Sequence, residues 1–458
     1  RRRWEAKPLL LQRGLPPLVA AVLAVGIAWA SGLPPSPALL VLLALSYALY
    51  LSPHRVRRWA LPVTALSVAV AYPFYLEHLF ALPVVKSFPS MDTMVVMAIF
   101  TMMALGLNMV VGYAGLLDLG YVAFYAIGAY VAAWLASDHF TQVDLRFGAI
   151  GEDTGVGGIH ISIWLALVIA ACVTAVAGVI IGLPTLRLRG DYLAIVTLAF
   201  GEVIRVVVNN LDKPINLTNG PQGIRAIQRP PLFFKPALTA LGVTVEDATL
   251  YALYFYFLVL LVVGFAVVLT RRLENSWVGR AWTAIREDEL AAQAMGIPLV
   301  RMKLAAFAAG ASFAGAMGMI FGAKQYFINP ESFTFMESIG VLAMVIVGGM
   351  GSLPGAIVGA TVVTILNLQV LKGLSLLLNQ LRATDAVIPI LNYPLSRWPT
   401  QLDPAKYERL IFGILLIIMS ILRPQGIIPE RRHQLELEER RAEPAPTLAP
   451  TAGGGGDG

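Results

Sequence analysis

The sequence predicts an all-α protein, a polytopic integral membrane helical bundle of about 10–12 membrane segments, some of them broken or re-entrant. Hydrophobic residues make up 57% of the 458 residues and charged residues only 14%, whereas a typical soluble domain has roughly 25% charged residues. The mean hydropathy is +0.71. Uncharged apolar runs recur along the chain, and the clearest, 250–270, has the length of about 20 residues that a helix needs to cross a bilayer.

The apolar runs predict the positions of the membrane segments. They lie near residues 15–33, 37–51, 59–80, 93–111, 115–135, 160–183, 192–208, 250–270, 304–321, 338–371 and 407–422. The run 338–371 is interrupted at Gly348–Pro354, which is compatible with two short crossings.

Basic residues in short loops predict the orientation, because cytoplasmic loops carry an excess of Lys and Arg. Five basic residues precede the first run, and six lie in the loop 271–303. The loop 136–158 holds four acidic residues against Arg146 alone and is predicted to be external. With 338–371 counted as two crossings, both termini are predicted to be cytoplasmic.

Composition sets the C-terminal end of the chain apart. Residues 430–458 are charged, then Pro/Ala-rich, then Gly-rich, so we expect a disordered cytoplasmic tail that cannot bury enough apolar surface to order itself.

Several classes of function are disfavoured. The net charge is +6, but the basic residues flank apolar runs and do not form the aromatic-interleaved patches typical of nucleic-acid binding. Five histidines are scattered singly and Cys172 is the only cysteine, so we expect no metal site. No convergent polar set typical of a membrane enzyme is found.

The loop 271–303 is the most informative one. Arg280–Met295 is predicted to be one amphipathic helix, capped by Asn275 or Ser276 and ended by Gly296 in a left-handed conformation. Its apolar residues are Trp282, Ile285 and Leu290. Such a helix suits insertion into a groove on another protein, or it lies on the lipid surface.

Five blocks of sequence resemble known permeases. Glu289-Leu-Ala-Ala, followed by three residues and Gly296, resembles the EAA loop of bacterial ABC-importer permeases. The blocks 106–121, 187–202, 330–335 with 348–351, and 423–429 resemble the M-type (LivM-like) permeases of branched-chain amino acid importers. The resemblance covers roughly 92–429, while 1–90 and 373–405 match less clearly. It implies that 91–429 form the main membrane domain, that of an ABC-importer permease, and that 1–90 form accessory N-terminal membrane helices.

The resemblance implies a transport subunit of a multi-subunit importer in the bacterial cytoplasmic (inner) membrane, working by alternating access. Its partners would be a second, LivH-like permease, two ABC ATPase subunits and an extracytoplasmic substrate-binding protein. The substrates would be branched-chain or related hydrophobic amino acids. The chain itself would be no enzyme and would hold no cofactor, with ATP and Mg bound by the ATPase; it has no Gly-x-x-x-x-Gly-Lys-Ser/Thr loop of its own. The implied ATPase-coupling residues are Gly279, Arg280, Arg286, Glu287, Asp288, Glu289, Ala291, Ala292 and Gly296.

Polar and glycine residues at two helix interruptions are candidates for the translocation path, because paired interruptions at membrane depth mark such sites. The candidates are Asn108, Tyr113, Gly115, Asp118, Glu202, Gly348, Gly349 and Gly351. The alternative is that Gly112, Gly115 and Gly120 merely permit close helix packing. Members of the family often have an apolar residue in place of Asp118.

Glu202 and Arg205 are three residues apart and are predicted to pair, either as a functional group or to fix helix packing. Asp191 is predicted to start a helix. Small residues recur every fourth position at Gly310, Ala314, Gly318 and Gly322, and again at Gly351, Gly355 and Gly359; both stripes predict close helix packing.

One competing function is a proton- or sodium-coupled secondary transporter that uses Asp118 and Glu202 as coupling carboxylates. It would need no ATPase and would leave the EAA-like loop without a role.

Overall fold

A computed structural model describes the main membrane domain. The described residues are 90–148, 157–186, 188, 190–233, 235–240, 246–383, 387–388, 393–394, 404–423 and 425–429, with Leu66, Ala69, Val70, Tyr72 and Pro73. The spans predicted at 15–33, 37–51 and 59–80 lie wholly or almost wholly outside these residues, as does the tail 430–458.

Helices dominate the described part of the chain. They are α1 (Met91–Leu107), α2 (Val122–Leu135), α3 (Ile163–Thr185), α4 (Asp191–Asn210), α5 (Lys235–Ala240), α6 (Asp247–Glu274), α7 (Trp277–Glu287), α8 (Glu289–Ala294), α9 (Leu299–Gln325), α10 (Phe335–Gly348), α11 (Leu353–Ile365), α12 (Lys372–Ala383) and α13 (Glu408–Leu422). Two π-helical turns, Asn108–Tyr113 and Leu366–Leu371, continue α1 and α11.

Within the described residues, seven helical stretches are long and apolar enough to cross a membrane. They are Met91–Tyr113, Ile163–Thr185, Tyr192–Asn210, Asp247–Glu274, Leu299–Gln325, Pro330–Gly348 and Leu353–Gln380. The shorter apolar helices Val122–Leu135 and Leu410–Leu422 accompany them. The fold is therefore the polytopic helical membrane bundle that the composition predicts.

Helix α9 lies at the centre of the bundle and packs along α1, α2 and α3. Its small residues permit this. A Cβ on Gly318 would lie 2.0 Å from the Tyr125 carbonyl oxygen, and one on Gly310 would lie 2.6 Å from Val110. The predicted stripe is thus a packing surface inside this chain. The second stripe packs α10 against α11, where a Cβ on Gly359 would lie 2.0 Å from the Met344 carbonyl oxygen.

Short strands link the connecting segments at the end of the bundle that is predicted to be external. These are β1 (Ala136–Ser137), β2 (Leu145–Phe147), β3 (Ile159–Ile161), β4 (Ile224–Arg225), β5 (Phe327–Ile328), β6 (Val387–Ile388) and β7 (Tyr393–Pro394). In the first sheet β3 pairs antiparallel with β1 and parallel with β2. Antiparallel pairs β4–β5 and β6–β7 form the other two sheets.

Two sequence predictions are corrected. The span predicted at 115–135 is helical only from Val122, because Ala114–Gly120 has no helical conformation. The single helix predicted at Arg280–Met295 is in fact two helices, α7 and α8, since Asp288 is extended (φ −155°, ψ 112°) and starts the second helix. Asp is a favoured N-cap residue, and its side chain competes with the helical backbone.

Candidate translocation path and coupling surface

The first interruption follows α1. The π-helical turn Asn108–Tyr113 ends at Ala114, and the chain then runs without helix to the start of α2. Gly115 has φ +69°, a left-handed conformation that glycine adopts at little cost. The predicted break in this segment is confirmed.

The second interruption separates α10 from α11. Gly349 and Gly351 have φ of +119° and +77°, so the backbone reverses between Gly348 and Leu353. The C-terminal segment covers the end of α10: Ile427 and Ile428 donate their backbone N–H groups to Val347 and Gly348 at 2.9 and 3.0 Å. These bonds satisfy carbonyls that a broken helix leaves without a partner.

A single side chain joins the two interruptions. Asn108 Oδ1 accepts a hydrogen bond from Gly351 N at 2.9 Å, and Asn108 is fully buried. Gly112 fits against both groups, since a Cβ there would lie 2.2 Å from Asn108 Oδ1 and 2.5 Å from Gly351 N.

Asp118 lies in the non-helical segment of the first interruption, which packs against α4. Its Oδ1 accepts from Gly120 N at 2.9 Å, and Leu119 N donates to Thr197 Oγ1 at 3.0 Å. A Cβ on Gly120 would lie 2.0 Å from the Thr197 carbonyl oxygen. Close packing therefore explains Gly112 and Gly120.

Three of the four predicted path residues at the first break, Asn108, Tyr113 and Asp118, are buried in the described part of the chain. The fourth, Gly115, is exposed. That these residues line the path of the substrate stays a prediction.

Glu202 lies on α4 and pairs with Arg205, as predicted, with Arg205 Nη2 2.9 Å from Glu202 Oε2. Arg205 Nη1 also lies 3.4 Å from Glu331 Oε1, a residue to which the sequence analysis assigned no role. Glu331 stands in the block 330–335, so that block was the available signal.

Helix α7 is anchored by its apolar face. Ser276 caps it by accepting from Gly279 N at 3.4 Å, which selects Ser276 over Asn275. Trp282 is buried and donates its Nε1–H to the Met302 carbonyl at 2.7 Å. Ile285 is buried beside it, so α7 is fixed to the first turn of α9.

Helix α8 is held in place by an N-terminal cap and an ion pair. Asp288 Oδ1 accepts from Leu290 N and Ala291 N at 2.8 and 3.0 Å. Glu289 Oε1 lies 2.5 Å from Nζ of Lys303, whose side chain is 6% exposed. Lys303 has no predicted role from sequence, where a lysine at the start of an apolar span was the only signal for this pair.

The side of α8 that faces away from the bundle is exposed and partly apolar. Leu290 and Met295 are 65% and 83% exposed, while Ala292 is buried. Gly296 has φ +84°, which confirms the predicted left-handed end of the helix.

Arg286 connects the α7–α8 module, which comprises the two helices Trp277–Glu287 and Glu289–Ala294, to the first interruption. It donates through Nη1 to the Gly112 carbonyl, and a Cβ on Gly115 would lie 2.8 Å from its Cγ. Among the other predicted coupling residues, Gly279 and Ala292 are buried. Arg280 and Glu287 are exposed: Arg280 donates to the Asn275 carbonyl, and Glu287 lies 3.7 Å from Arg286. Displacement of α7 would therefore act directly on the end of the α1 extension.

No group of three or more His, Cys, Asp or Glu residues that could hold a metal ion occurs in the part of the chain that the structure describes. The candidate site thus consists of the two helix interruptions, joined by buried backbone hydrogen bonds, and of the partly exposed α7–α8 module, which contacts the first interruption through Arg286.

Comparison with known proteins gives the family. A family model described as the branched-chain amino acid transport system permease component matches residues 90–420. The chain is 36% identical to the high-affinity branched-chain amino acid transport system permease protein LivM of Escherichia coli, over 83% of this chain and 77% of that protein. It is also 36% identical to LivM of Salmonella typhimurium, over 82% of this chain and 76% of the relative.

The similarity extends to a second type of permease. The chain is 25% identical to the permease protein LivH of Escherichia coli, over 58% of this chain and 80% of that protein. No solved structure matches the chain. The family match spans most of the chain and the described bundle, so the chain belongs to the branched-chain amino acid transport system permease family.

Proposed function

We propose that this chain is a transmembrane permease subunit of an ATP-driven importer for branched-chain or related hydrophobic amino acids. It works by alternating access and is coupled through α7 and α8 to an ATPase subunit. The importer lies in the bacterial cytoplasmic membrane, with both termini on the cytoplasmic side.

The observation that carries the proposal is the construction of the module α7–α8. One side is fixed to the bundle through Trp282, Arg286 and the Glu289–Lys303 pair. The other side presents Leu290 and Met295 to solvent. A short helix with an anchored base and an exposed apolar tip suits insertion into a groove of another protein.

An ATP-driven importer needs such a partner, because this chain has no Gly-x-x-x-x-Gly-Lys-Ser/Thr loop. ATP and Mg would be bound by the ATPase. Two ATPase subunits would serve two permeases, and an extracytoplasmic binding protein would deliver the amino acid. The similarity to both LivM and LivH supports a heterodimer of related permeases.

The outward face of α4 is a suitable surface for the second permease or for lipid. Ile195 and Val206 on this helix are 59% and 53% exposed. Exposed apolar surface of this kind requires either an apolar solvent or a partner.

The experiment is to tag the chain, purify it gently from its native membrane and identify the proteins that accompany it. The expected result is a second permease and an ATPase with a phosphate-binding loop. Purification of the chain alone, with uptake driven by a proton gradient in liposomes, would contradict the proposal and favour coupling through Asp118 and Glu202.

A further inference from the structure

One face of α6 is apolar and exposed in the half of the helix that is predicted to be cytoplasmic. Leu261, Phe265 and Val268 are 58%, 65% and 54% exposed. Their spacing of four and then three residues places them in one row along the helix. A Cβ on Gly264, beside this row, would have no atom within 4 Å. The face is therefore open to whatever surrounds the bundle.

The row ends in positive charge. Arg272 follows Val268 by four residues and continues the row, and Arg271 is its neighbour. Both residues are exposed, and neither guanidinium group forms an ion pair with any residue that the structure describes. Residues 271–286 contain four arginines and one carboxylate, so this charge is not neutralised locally.

The two arginines lie at the depth of the lipid headgroups. The uncharged run 250–270 precedes them directly, and at about 1.5 Å per residue it spans the hydrocarbon core of about 30 Å. Trp277 follows shortly after the end of α6 and is 55% exposed. Tryptophan is enriched at the boundary between membrane and water, so the surface near Arg271 and Arg272 has the composition of that boundary.

The corner between α6 and α7 is tightly built. A Cβ on Gly279 would lie 2.3 Å from the Leu273 carbonyl oxygen. Ser276 Oγ donates to the same carbonyl at 2.7 Å, and Arg280 donates to the Asn275 carbonyl at 3.1 Å. A molecule bound at the end of α6 would therefore lie at the base of the α7–α8 module.

We propose that this face of α6 binds an anionic phospholipid. Its phosphate lies against Arg271 and Arg272, because guanidinium groups match phosphate geometry. One acyl chain runs along Val268, Phe265 and Leu261. The charge selects the lipid: a zwitterionic phospholipid offers the same acyl chains but no net negative charge, and each arginine near the surface favours an anionic lipid by about fivefold. This inference does not depend on the proposed importer function.

The test measures which lipid contacts this face. On a Cys172→Ser background, Val268→Cys carries a fluorophore, and the purified full chain, with any proteins that accompany it, is placed in phosphatidylcholine bilayers. Brominated phosphatidylglycerol or brominated phosphatidylcholine is added as a minor component and quenches the fluorophore on contact. We expect phosphatidylglycerol to bind about 25-fold more tightly at low ionic strength, the product of about fivefold from each arginine.

Variants assign the preference to the two arginines. Arg272→Gln should lower it about fivefold, and the double substitution Arg271→Gln with Arg272→Gln should remove it. The melting temperature should stay unchanged, because both side chains are exposed. Arg301→Gln, at an exposed arginine on α9, is the matched control and should keep the full preference. A fluorophore on Val168→Cys, on α3, should be quenched equally by both lipids.

Equal quenching of the Val268→Cys fluorophore by the two lipids would overturn the proposal and leave the arginines as determinants of orientation alone. No quenching by either lipid would also overturn it, because a protein such as a second permease would then cover the face. A preference that survives the double substitution would place the anionic site elsewhere and would contradict the proposal as well.

Discussion

At the scale of single residues, the polar backbone groups at the two interruptions are satisfied by distant side chains and segments. Asn108 Oδ1 accepts a hydrogen bond from Gly351 N, and Arg286 donates one to the Gly112 carbonyl. The backbone N–H of Ile428 donates to the Gly348 carbonyl. Such groups cannot be left without partners inside a membrane. The interruptions are therefore specific junctions held by these hydrogen bonds.

Gly112→Ala tests the tightness of the junction. The new methyl group would overlap Asn108 Oδ1 and Gly351 N, both within 2.5 Å, and overpacking of this kind costs about 1–3 kcal/mol. We expect a lower melting temperature of the purified protein in detergent. Gly264→Ala in α6 is the control, since no atom lies within 4 Å of its Cβ position. Equal melting of the two variants would show that the junction is loose.

Glu289→Gln tests the anchor of α8. The substitution leaves the buried ammonium of Lys303 without its carboxylate at 2.5 Å, so we expect a loss of about 1–3 kcal/mol in the free energy of unfolding. Thermal melting measures it. Glu287→Gln is the matched control, because Glu287 is 58% exposed and its partner lies 3.7 Å away. An unchanged melting temperature for Glu289→Gln would contradict the anchoring role.

Sequence reasoning found many of the residues at these sites but few of their contacts. Glycines and an asparagine inside apolar runs indicated an interruption, because such residues are rarely placed there without a structural reason. Asn108 and Gly351 are 243 positions apart, and no local pattern encodes such a pairing.

At the scale of elements, hydrophobic length determined the helix positions well. The predicted spans 192–208 and 250–270 lie inside α4 and α6, and 160–183 begins three residues before α3, since a long apolar run has one stable form in a bilayer. The division between α7 and α8 was missed. Asp288 sits in a sequence of good helix formers, and its capping role depends on the tertiary anchors on either side.

Leu290→Asp tests the exposed edge of α8. Leu290 is 65% exposed, so the substitution should leave the stability of the permease within about 0.5 kcal/mol. It should nevertheless weaken co-purification of the ATPase, because a buried apolar contact with the partner is lost. Ile215→Asp, at a residue 68% exposed on the predicted opposite side, is the control. Undiminished recovery of the ATPase with Leu290→Asp would place the contact elsewhere.

At the scale of the whole molecule, the orientation follows from charge and can be tested by labelling. Cys172 is the only cysteine, so Cys172→Ser provides a background without thiols. We expect an impermeant maleimide to label Ile215→Cys in intact cells. Leu290→Cys should be labelled only after the membrane is permeabilised. The reverse pattern would invert the bundle and remove α7–α8 from the cytoplasm.

The central claim is that α7 and α8 transmit ATP hydrolysis to the membrane domain. Its most direct test is leucine uptake into proteoliposomes that contain the purified complex, with ATP enclosed or a proton gradient imposed. Our model predicts uptake only with ATP and the binding protein, and loss of that uptake in Gly296→Pro, because proline cannot adopt the φ of +84° that directs the chain into α9. Uptake driven by the gradient without ATP, or undiminished uptake by Gly296→Pro, would contradict it.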